Sequence, residues 1–269
     1  MTVSFVKMSG AGNDMILVDH RDRALAGREP VLARRACDRR FGVGADGLIL
    51  LEEDDDADFR VRFFNPDGSE YALCGNGARC VPLFARELGL PGPRYEFRSD
   101  SGRHVGEMVD DTTGRIELPG VRTLRHDVEA ALDGRSVRLD WGDIGVPHAA
   151  HWVDDVDAVP IDSWGPQLRR AAAFDPDGTN VSFVERRGHG SLRMRTFERG
   201  VEGETWACGS GSAVVATLAR SRGWADRRVR IEVRGGRLTL DLPPEPGGSI
   251  GLTGPVVRCC QGTLELDGP

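Results

Sequence analysis

Apolar and polar residues alternate along short stretches of this chain, which is the pattern of half-buried strands. Residues 46–70, DGLILLEEDDDADFRVRFFNPDGSE, begin with an apolar run and continue through an acidic stretch to a second run, in which Phe59, Val61 and Phe63 share one face. The sequence Asn65-Pro66-Asp67-Gly68 then favours a turn. This segment predicts a β-hairpin with an acidic, solvated turn rather than a metal site.

Helical spacing follows Cys74. The segment GARCVPLFARELGL, residues 77–90, has the length of a helix and a glycine at its end, Gly89. Pro82 lies inside the segment, and proline disrupts a helix interior. We therefore expect either a kink at Pro82 or a late helix start.

The second half of the chain repeats this order. Residues 135–157, 178–185 and 191–198 alternate like strands, and GSGSAVVATLARSRG after Cys208 predicts a helix. Residues 63–78 can be laid over 197–212 without a gap, with five identities in sixteen positions. The identical pairs are Phe63 and Phe197, Glu70 and Glu204, Cys74 and Cys208, Gly75 and Gly209, and Gly77 and Gly211.

This overlay indicates a duplicated unit. We predict an α+β fold with two similar domains, each made mostly of antiparallel strands with a long helix that begins just after a cysteine. The turn at Pro119-Gly120 divides the chain into domains at 1–120 and 121–255.

Composition narrows the class of protein. Of the 269 residues, 39% are hydrophobic and 29% are charged, as in globular domains rather than disordered or membrane-spanning chains. The amino terminus lacks the pattern of a secretory signal, so we expect a cytoplasmic protein with no membrane role. No basic block accompanies the net charge of −7, which argues against a nucleic-acid partner.

The six cysteines form no C-x-x-C pair, so neither structural zinc nor a disulfide framework is indicated. Lys7 is the one lysine in the chain. A pyridoxal enzyme binds its cofactor through a lysine Schiff base, and here no other lysine could serve.

The repeated cysteine has a chemical use. A thiol at a helix N-terminus can have its pKa lowered from about 8.5 to roughly 3.5–7.5, and glycines after it let backbone N–H groups approach an anion. A single such cysteine is more often a small core residue. Two of them, facing one molecule from opposite sides, would suit the inversion of a carbon centre, one as base and the other as acid.

Several blocks carry a resemblance to a known family. They are KMSGAGNDMILVD, FGVGADGLILL, FFNPDGSEYALCGNGARC, GVPHAAHWVDDVD, GTNVSFVE and FERGVEGETWACGSGS. Along nearly its whole length the chain resembles the diaminopimelate epimerases, pyridoxal-independent isomerases of lysine and peptidoglycan biosynthesis.

The resemblance implies two pseudo-symmetric domains, each with strands wrapped around a central helix and with the active site in the cleft between them. It also implies that a C-terminal strand, about 256–269, returns to the first domain. The substrate would be a small amino acid, no cofactor or metal would be needed, and the chain would form a homodimer.

Residue roles follow from the same resemblance. The expected catalytic residues are Cys74, Cys208, His148 and Glu198. The expected substrate-binding residues are Asn13, Asn65, Gly75, Asn76, Asn180, Glu198, Arg199, Gly209 and Ser210. Without the resemblance, the asparagines are equally well explained as turn formers, His148 as a structural histidine, and Glu198 with Arg199 as a surface ion pair.

Two positions depart from the family pattern. Many members have asparagine where this chain has Val146, and some have glutamine in place of Gly47. Polar contacts to the far end of a substrate provide much of an enzyme's discrimination, so these positions concern substrate identity more than chemistry.

Three other hypotheses stay open at this stage. The first is a racemase of another amino acid with the same mechanism. The second is a hydrolase or transferase in which Cys74 and His148 form a nucleophilic pair. The third is a duplicated binding module whose cysteines only pack.

Overall fold

The computed structural model describes residues 1–266, and residues 267–269 of the predicted C-terminal strand lie outside this range. The chain divides into two compact units. The first unit contains residues 1–116 and the segment from Gly254 onward, and the second contains residues 117–253.

The first unit contains eight strands and two helices before the chain enters the second unit. They are β1 (Thr2–Gly10), β2 (Asn13–Asp19), α1 (Glu29–Cys37), β3 (Gly47–Glu52), β4 (Phe59–Phe64), β5 (Glu70–Tyr71), α2 (Gly75–Glu87), β6 (Arg94–Ser99), β7 (Gly102–Met108) and β8 (Thr113–Leu118). The hairpin predicted for residues 46–70 is confirmed by the antiparallel pairing of β3 with β4.

The second unit contains the remaining elements. They are β9 (Thr123–Leu132), β10 (Arg135–Asp143), β11 (Pro147–Val153), α3 (Ile161–Arg169), β12 (Asn180–Gly188), β13 (Ser191–Glu198), β14 (Gly203–Thr205), α4 (Gly209–Ser221), β15 (Arg228–Val233), β16 (Gly236–Asp241) and β17 (Ile250–Glu265). Strand β17 begins in this unit, and from Val256 to Glu265 it pairs with β1.

Strand pairing follows the same succession in both units. From β1 through β2, β3, β4, β6, β7 and β8 the pairs are antiparallel, parallel, antiparallel, parallel, antiparallel and antiparallel. From β10 through β11, β12, β13, β15, β16 and β17 the succession is identical. The predicted α+β class with two pseudo-symmetric halves is therefore confirmed.

A helix occupies the interior of each unit. Residues Asn76–Ala85 of α2 are all buried, and so are most residues of α4. A helix that is buried on every side needs apolar neighbours all around it, and the strands provide them. Helix α2 packs against β1, β2 and β7, and α4 packs against β10, β11, β12, β15 and β16.

Both central helices end in the same way. Gly89 and Gly223 adopt the left-handed conformation, with φ of 78° and 73°. The next residue in each case donates its N–H to a carbonyl five positions earlier, Leu90 to Ala85 and Trp224 to Ala219. These are the hydrogen bonds of a Schellman motif, and they confirm the stop predicted at Gly89.

Of the two alternatives expected at Pro82, a kink or a late helix start, the late start is wrong. Helix α2 begins at Gly75, directly after Cys74, and Pro82 lies in its interior. Pro82 fits against β7 because Gly106 has no side chain, and a Cβ there would lie 2.9 Å from the Pro82 ring. Among residues 1–266, no helix is long and apolar enough to cross a membrane.

Candidate active site

The first cysteine caps helix α2. Cys74 is half-buried and extended, with φ −116° and ψ 115°, and its Sγ accepts a hydrogen bond from the Gly77 N–H at 3.5 Å. The Cys74 thiol also donates to Asn13 Oδ1 at 3.3 Å. The structure therefore brings two of the predicted site residues together at the amino end of this helix.

A polar network holds the Asn13 amide in this orientation. Its Nδ2 donates to Asp46 Oδ2 at 2.6 Å, which leaves Oδ1 toward Cys74. Asp14, the next residue, forms ion pairs with Lys7 at 2.7 Å and Arg39 at 2.9 Å. Burial raises the pKa of the Asp14 carboxyl, but hydrogen bonds and charge from the two basic groups outweigh burial and hold it below its usual value.

Two residues near Cys74 were missed by the sequence analysis. The Tyr71 hydroxyl forms a hydrogen bond with Cys74, and burial raises the pKa of this tyrosine above its usual range, so it stays protonated. Arg79 is fully buried on α2, and its Nη1 donates to the Gly75 carbonyl at 3.3 Å. The available signal for Arg79 was a lone charge within the otherwise apolar stretch from Gly77 to Ala85.

The second cysteine caps helix α4 with nearly the same backbone. Cys208 has φ −118° and ψ 109°, and it is buried. Its Sγ lies 3.6 Å from Ser210 Oγ, which in turn lies 3.0 Å from His148 Nε2. Three of the predicted site residues thus form a connected chain of polar atoms within the second unit.

His148 is held neutral in this chain. Burial, with a smaller contribution from the Arg199 charge, lowers the pKa of His148 to about 3. The imidazole can therefore exchange hydrogen bonds with Ser210, but it does not become an imidazolium near neutral pH. Its other ring nitrogen, Nδ1, is buried without a hydrogen-bond partner.

Asn180 lies beside His148 because β11 and β12 pair in parallel with these two residues opposite one another. The Asn180 Oδ1 accepts the Arg199 N–H at 2.8 Å, and its Nδ2 donates to the Pro147 carbonyl at 2.9 Å. Glu198 precedes Arg199 at the end of β13, and burial raises the pKa of its carboxyl. These three residues share one end of the second unit with His148.

The other predicted residues occupy helix ends and a turn. Gly75 and Asn76 begin α2, and Gly209 and Ser210 begin α4, where the geometry of a helix leaves backbone N–H groups without intrahelical acceptors. Asn65 is held in its own turn, where its Nδ2 donates to Ser69 Oγ at 3.0 Å.

The two positions that depart from the family pattern have different surroundings. Val146 is 39% exposed, just before β11, and it offers no polar side-chain atom. At Gly47 a Cβ would lie 2.9 Å from the Phe64 carbonyl oxygen and 3.1 Å from Met15 Sδ. A glutamine therefore does not fit at Gly47 without a backbone shift.

A second polar cluster lies in the first unit, apart from the cysteine. His20, Glu29 and Glu52 place potential ligand atoms within 4.8 Å of one another. However, Arg62 Nη1 donates to both carboxylates, at 2.7 Å to Glu29 and 3.3 Å to Glu52, and His20 Nε2 accepts the Leu25 N–H. Because Arg62 and Arg23 already form ion pairs with these carboxylates, this cluster is an ion-pair network rather than a metal site.

Comparison with known proteins decides the family. A family model described as diaminopimelate epimerase matches residues 5–121 and 141–259. The chain belongs to the diaminopimelate epimerase family. It is therefore an isomerase, and the activity that the family supports is an epimerisation.

Relatives of this name extend over almost the whole chain. A diaminopimelate epimerase of Archaeoglobus fulgidus is 38% identical and covers 99% of this chain and 98% of its own. Another, from Moorella thermoacetica, is 36% identical and covers 98% of this chain and 99% of its own. The resemblance of the sequence to the diaminopimelate epimerases is thus confirmed at the level of the family.

Solved structures share the fold of the diaminopimelate epimerase family more widely. A PhzF-family phenazine biosynthesis protein of Bacillus anthracis has a TM-score of 0.77 at 16% identity, covering 98% of this chain and 99% of its own. A hydroxyproline epimerase of Agrobacterium vitis, with bound trans-4-hydroxy-L-proline, has a TM-score of 0.67 at 17% identity, covering 100% and 94%. At these identities the similarity concerns the fold alone.

Proposed function

We propose that this chain converts LL-2,6-diaminopimelate to meso-diaminopimelate by a two-base mechanism that uses Cys74 and Cys208. The observation that carries this proposal is the placement of both cysteines as N-caps of corresponding helices in two units with the same strand succession. A duplicated site with a thiol in each copy suits a reaction that needs one proton acceptor and one proton donor.

In the reaction, a thiolate takes the α-proton from one face of the substrate, and the other thiol gives a proton to the opposite face. The first cysteine ends as a thiol and the second as a thiolate, so atoms and charge balance, and the reverse direction exchanges their roles. The proposal requires both thiols to reach one bound substrate from opposite faces.

The helix ends would bind the reacting carboxylate. The first-turn N–H groups at Gly75, Asn76, Gly209 and Ser210 are suited to hold an anion, and the positive ends of α2 and α4 would stabilise the charge that develops on it. This charge stabilisation would do part of what a pyridoxal electron sink does. Lys7 supports the cofactor-free proposal, because its Nζ is already engaged by Asp14 at 2.7 Å and the Gly44 carbonyl at 2.6 Å.

The remaining residues would bind and orient the substrate. Arg199 would pair with the distal carboxylate, and Asn13, Asn65 and Asn180 would provide amide contacts. Glu198 and His148 would orient the amino group of the reacting centre. The same proposal includes a homodimer, a cytoplasmic location and a place in lysine and peptidoglycan biosynthesis.

The test is proton NMR of the reduced protein with LL-diaminopimelate in D₂O, without pyridoxal phosphate and with a chiral assay of the product. We expect the meso isomer to appear with deuterium at the inverted carbon. A folded, reduced protein that gives neither exchange nor inversion would refute the proposed substrate.

A second candidate keeps the chemistry and changes the substrate to another amino acid. Val146 favours it, because this side chain cannot contribute the polar contact that asparagine provides in many family members. Turnover of a different amino acid in the same assay, with none of diaminopimelate, would select it. The hydrolase alternative is disfavoured, since a thiolate–imidazolium pair needs a charged histidine and the pKa of His148 is lowered to about 3.

A further inference from the structure

Arg79 is a buried charge that no carboxylate balances. Its side chain is 0% exposed, and Nη1 donates to the Gly75 carbonyl, whereas Nε and Nη2 have no hydrogen-bond partner. Within residues 1–266, no aspartate or glutamate forms an ion pair with it. Removing a guanidinium from water has a large desolvation cost, so a fully buried and unpaired arginine calls for a functional reason.

The ionisable groups that act on Arg79 are two thiols, Cys80 and Cys74. Burial lowers the pKa of Arg79 to about 10, and these thiols partly oppose the decrease, so the guanidinium stays charged at neutral pH. Burial raises the pKa of Cys80 to about 12, which keeps that thiol neutral. Cys74, at the start of the same helix, is the group that can become an anion and balance the charge.

Other ionisable groups on the elements packed against α2 are already compensated or neutral. Lys7 of β1 and Asp14 of β2 form an ion pair with each other. His104 of β7 is buried, which lowers its pKa, and its Nε2 contacts Ser99 Oγ. Tyr71 is protonated. Arg79 is therefore an uncompensated charge that acts on Cys74.

The second unit differs at this point. When the overlay of the two cysteine segments is continued by one residue without a gap, Arg79 falls on Ala213, which is buried and carries no charge. Cys208 contacts Ser210, which in turn contacts the neutral His148. The Arg199 charge acts on His148, but this residue is half-exposed and water screens it.

We propose that Arg79 is a positioning residue that serves as the buried counter-charge of the Cys74 thiolate, so that Cys74 rather than Cys208 carries the negative charge before substrate binds. The thiol proton goes to solvent, and the hydrogen bond from Cys74 to Asn13 Oδ1 is lost with it. The Gly77 N–H and the Tyr71 hydroxyl remain as donors to the sulfur. The role of Arg79 in turnover rests on the proposed two-base reaction. The assignment of the negative charge to Cys74 does not.

The experiment measures thiolate formation at each cysteine directly. The reduced full-length chain is alkylated briefly with iodoacetamide across a range of pH, and mass spectrometry quantifies the peptides of Cys74 and Cys208. Alkylation of the exposed Cys259 in the same sample is the internal reference for the rate at each pH. The variants are Arg79→Met, which removes the charge, and Arg79→Lys, which retains one.

In the wild type we expect Cys74 to react with a lower titration midpoint than Cys208. Arg79→Met should raise the Cys74 midpoint by about one unit or more, which makes alkylation about tenfold slower at pH values below both midpoints. The Cys208 midpoint should not change, and Arg79→Lys should recover part of the Cys74 shift. The proposal is overturned if the Cys74 midpoint is unchanged in Arg79→Met. It is also overturned if the wild-type midpoint is lower at Cys208 than at Cys74.

Stability separates this role from a structural one. Because Arg79→Met removes an unpaired buried charge, its urea unfolding midpoint should be no lower than that of the wild type, whereas its turnover should fall. A lower midpoint or a failure to fold means that Arg79 is needed for packing, and this outcome overturns the proposal. A shifted Cys74 midpoint without any turnover of diaminopimelate would instead retain the Arg79 assignment and refute the proposed substrate.

Discussion

The two cysteine helices have the same backbone and different surroundings. Cys74 and Cys208 cap their helices with φ and ψ that agree within 6°, and both helices end at a left-handed glycine followed by the same hydrogen bond. Yet Cys74 lies near Tyr71 and the buried Arg79, whereas Cys208 contacts Ser210. Duplication preserved the position of each thiol, and side chains then gave each copy a different electrostatic environment.

A repeated ion pair shows that the copies also differ in strand register. Glu70 accepts two hydrogen bonds from Arg62, and Glu204 accepts two from Arg195. The glutamates match in the sequence overlay, but the arginines are displaced by one position. The reason is the hairpin, because Glu70 pairs with Phe64 of β4 whereas Glu204 pairs with Phe197 of β13.

The largest expected effect tests whether the two cysteines divide one reaction. Cys74→Ala and Cys208→Ala should each lower the rate of inversion by about 10²–10⁴-fold, because each removes one proton-transfer group. Cys208→Ala should still exchange deuterium into the LL substrate without inversion, since Cys74 acts on its own face. The measurement is NMR in D₂O with chiral analysis.

The exposed Cys259 provides the control for these cysteine variants. Cys259→Ala should invert the substrate at the wild-type rate. Full activity in both Cys74→Ala and Cys208→Ala would contradict the two-base mechanism and favour a binding module.

The next effect concerns the helix interiors. Pro82 of α2 matches Ala216 of α4 in the overlay, and only α2 accommodates a proline ring beside Gly106. We expect Ala216→Pro to destabilise the protein by about 3 kcal/mol or more, because it removes a helix hydrogen bond and clashes with the preceding turn. Urea unfolding measures this change. Ala216→Gly, which keeps the N–H, should cost only about 1 kcal/mol, and an equal loss in both variants would refute the explanation.

A smaller effect distinguishes the glycines after each cysteine. A Cβ at Gly211 would lie 3.2 Å from His148 Nδ1 and 3.3 Å from Cys208 Sγ, whereas at Gly77 it would meet the ends of the flexible Ile49 and Met15 side chains. We expect Gly211→Ala to lower kcat about tenfold, equivalent to about 1.4 kcal/mol in the barrier. Gly77→Ala should keep most of the activity. Steady-state kinetics checks both, and equal losses would show that the difference in surroundings does not matter.

The last effect is on the pH dependence of stability. The folded-state pKa of His148 is lowered to about 3, so below the ordinary histidine pKa of about 6.5 the unfolded chain binds a proton that the folded chain does not. Stability therefore falls as pH decreases from about 6.5 toward 3, by up to about 1.4 kcal/mol per pH unit from this residue.

His148→Gln should reduce that slope, as measured by urea unfolding between pH 7 and 5. The Asp14 carboxyl of the first unit has a lowered pKa and affects stability only below about 4. Asp14→Asn is therefore the control, since it should leave the slope between pH 7 and 5 unchanged. An identical slope in wild type and His148→Gln would contradict the neutral, buried state of this histidine.

Local signals in the sequence were enough to predict the main helices and strands and to identify the two thiols. Each useful signal is contained within about fifteen residues: the alternation of a strand, the glycines that stop α2 and α4, and the repeated C-G-x-G segment. The hairpin β3–β4, both central helices and the duplicated architecture were therefore predictable. How α2 accommodates Pro82 in its interior was not, because the packing of Pro82 against Gly106 depends on a strand that is distant in sequence.

The chain's own sequence thus determined which residues repeat and where the thiols stand on their helices, because backbone propensity and capping act over a few positions. Only the tertiary structure decided how the two thiols differ. Burial of Arg79 and His148 and the approach of Asn13 and Ser210 depend on strands brought together from distant segments. Charge and desolvation at those contacts distinguish the first thiol from the second.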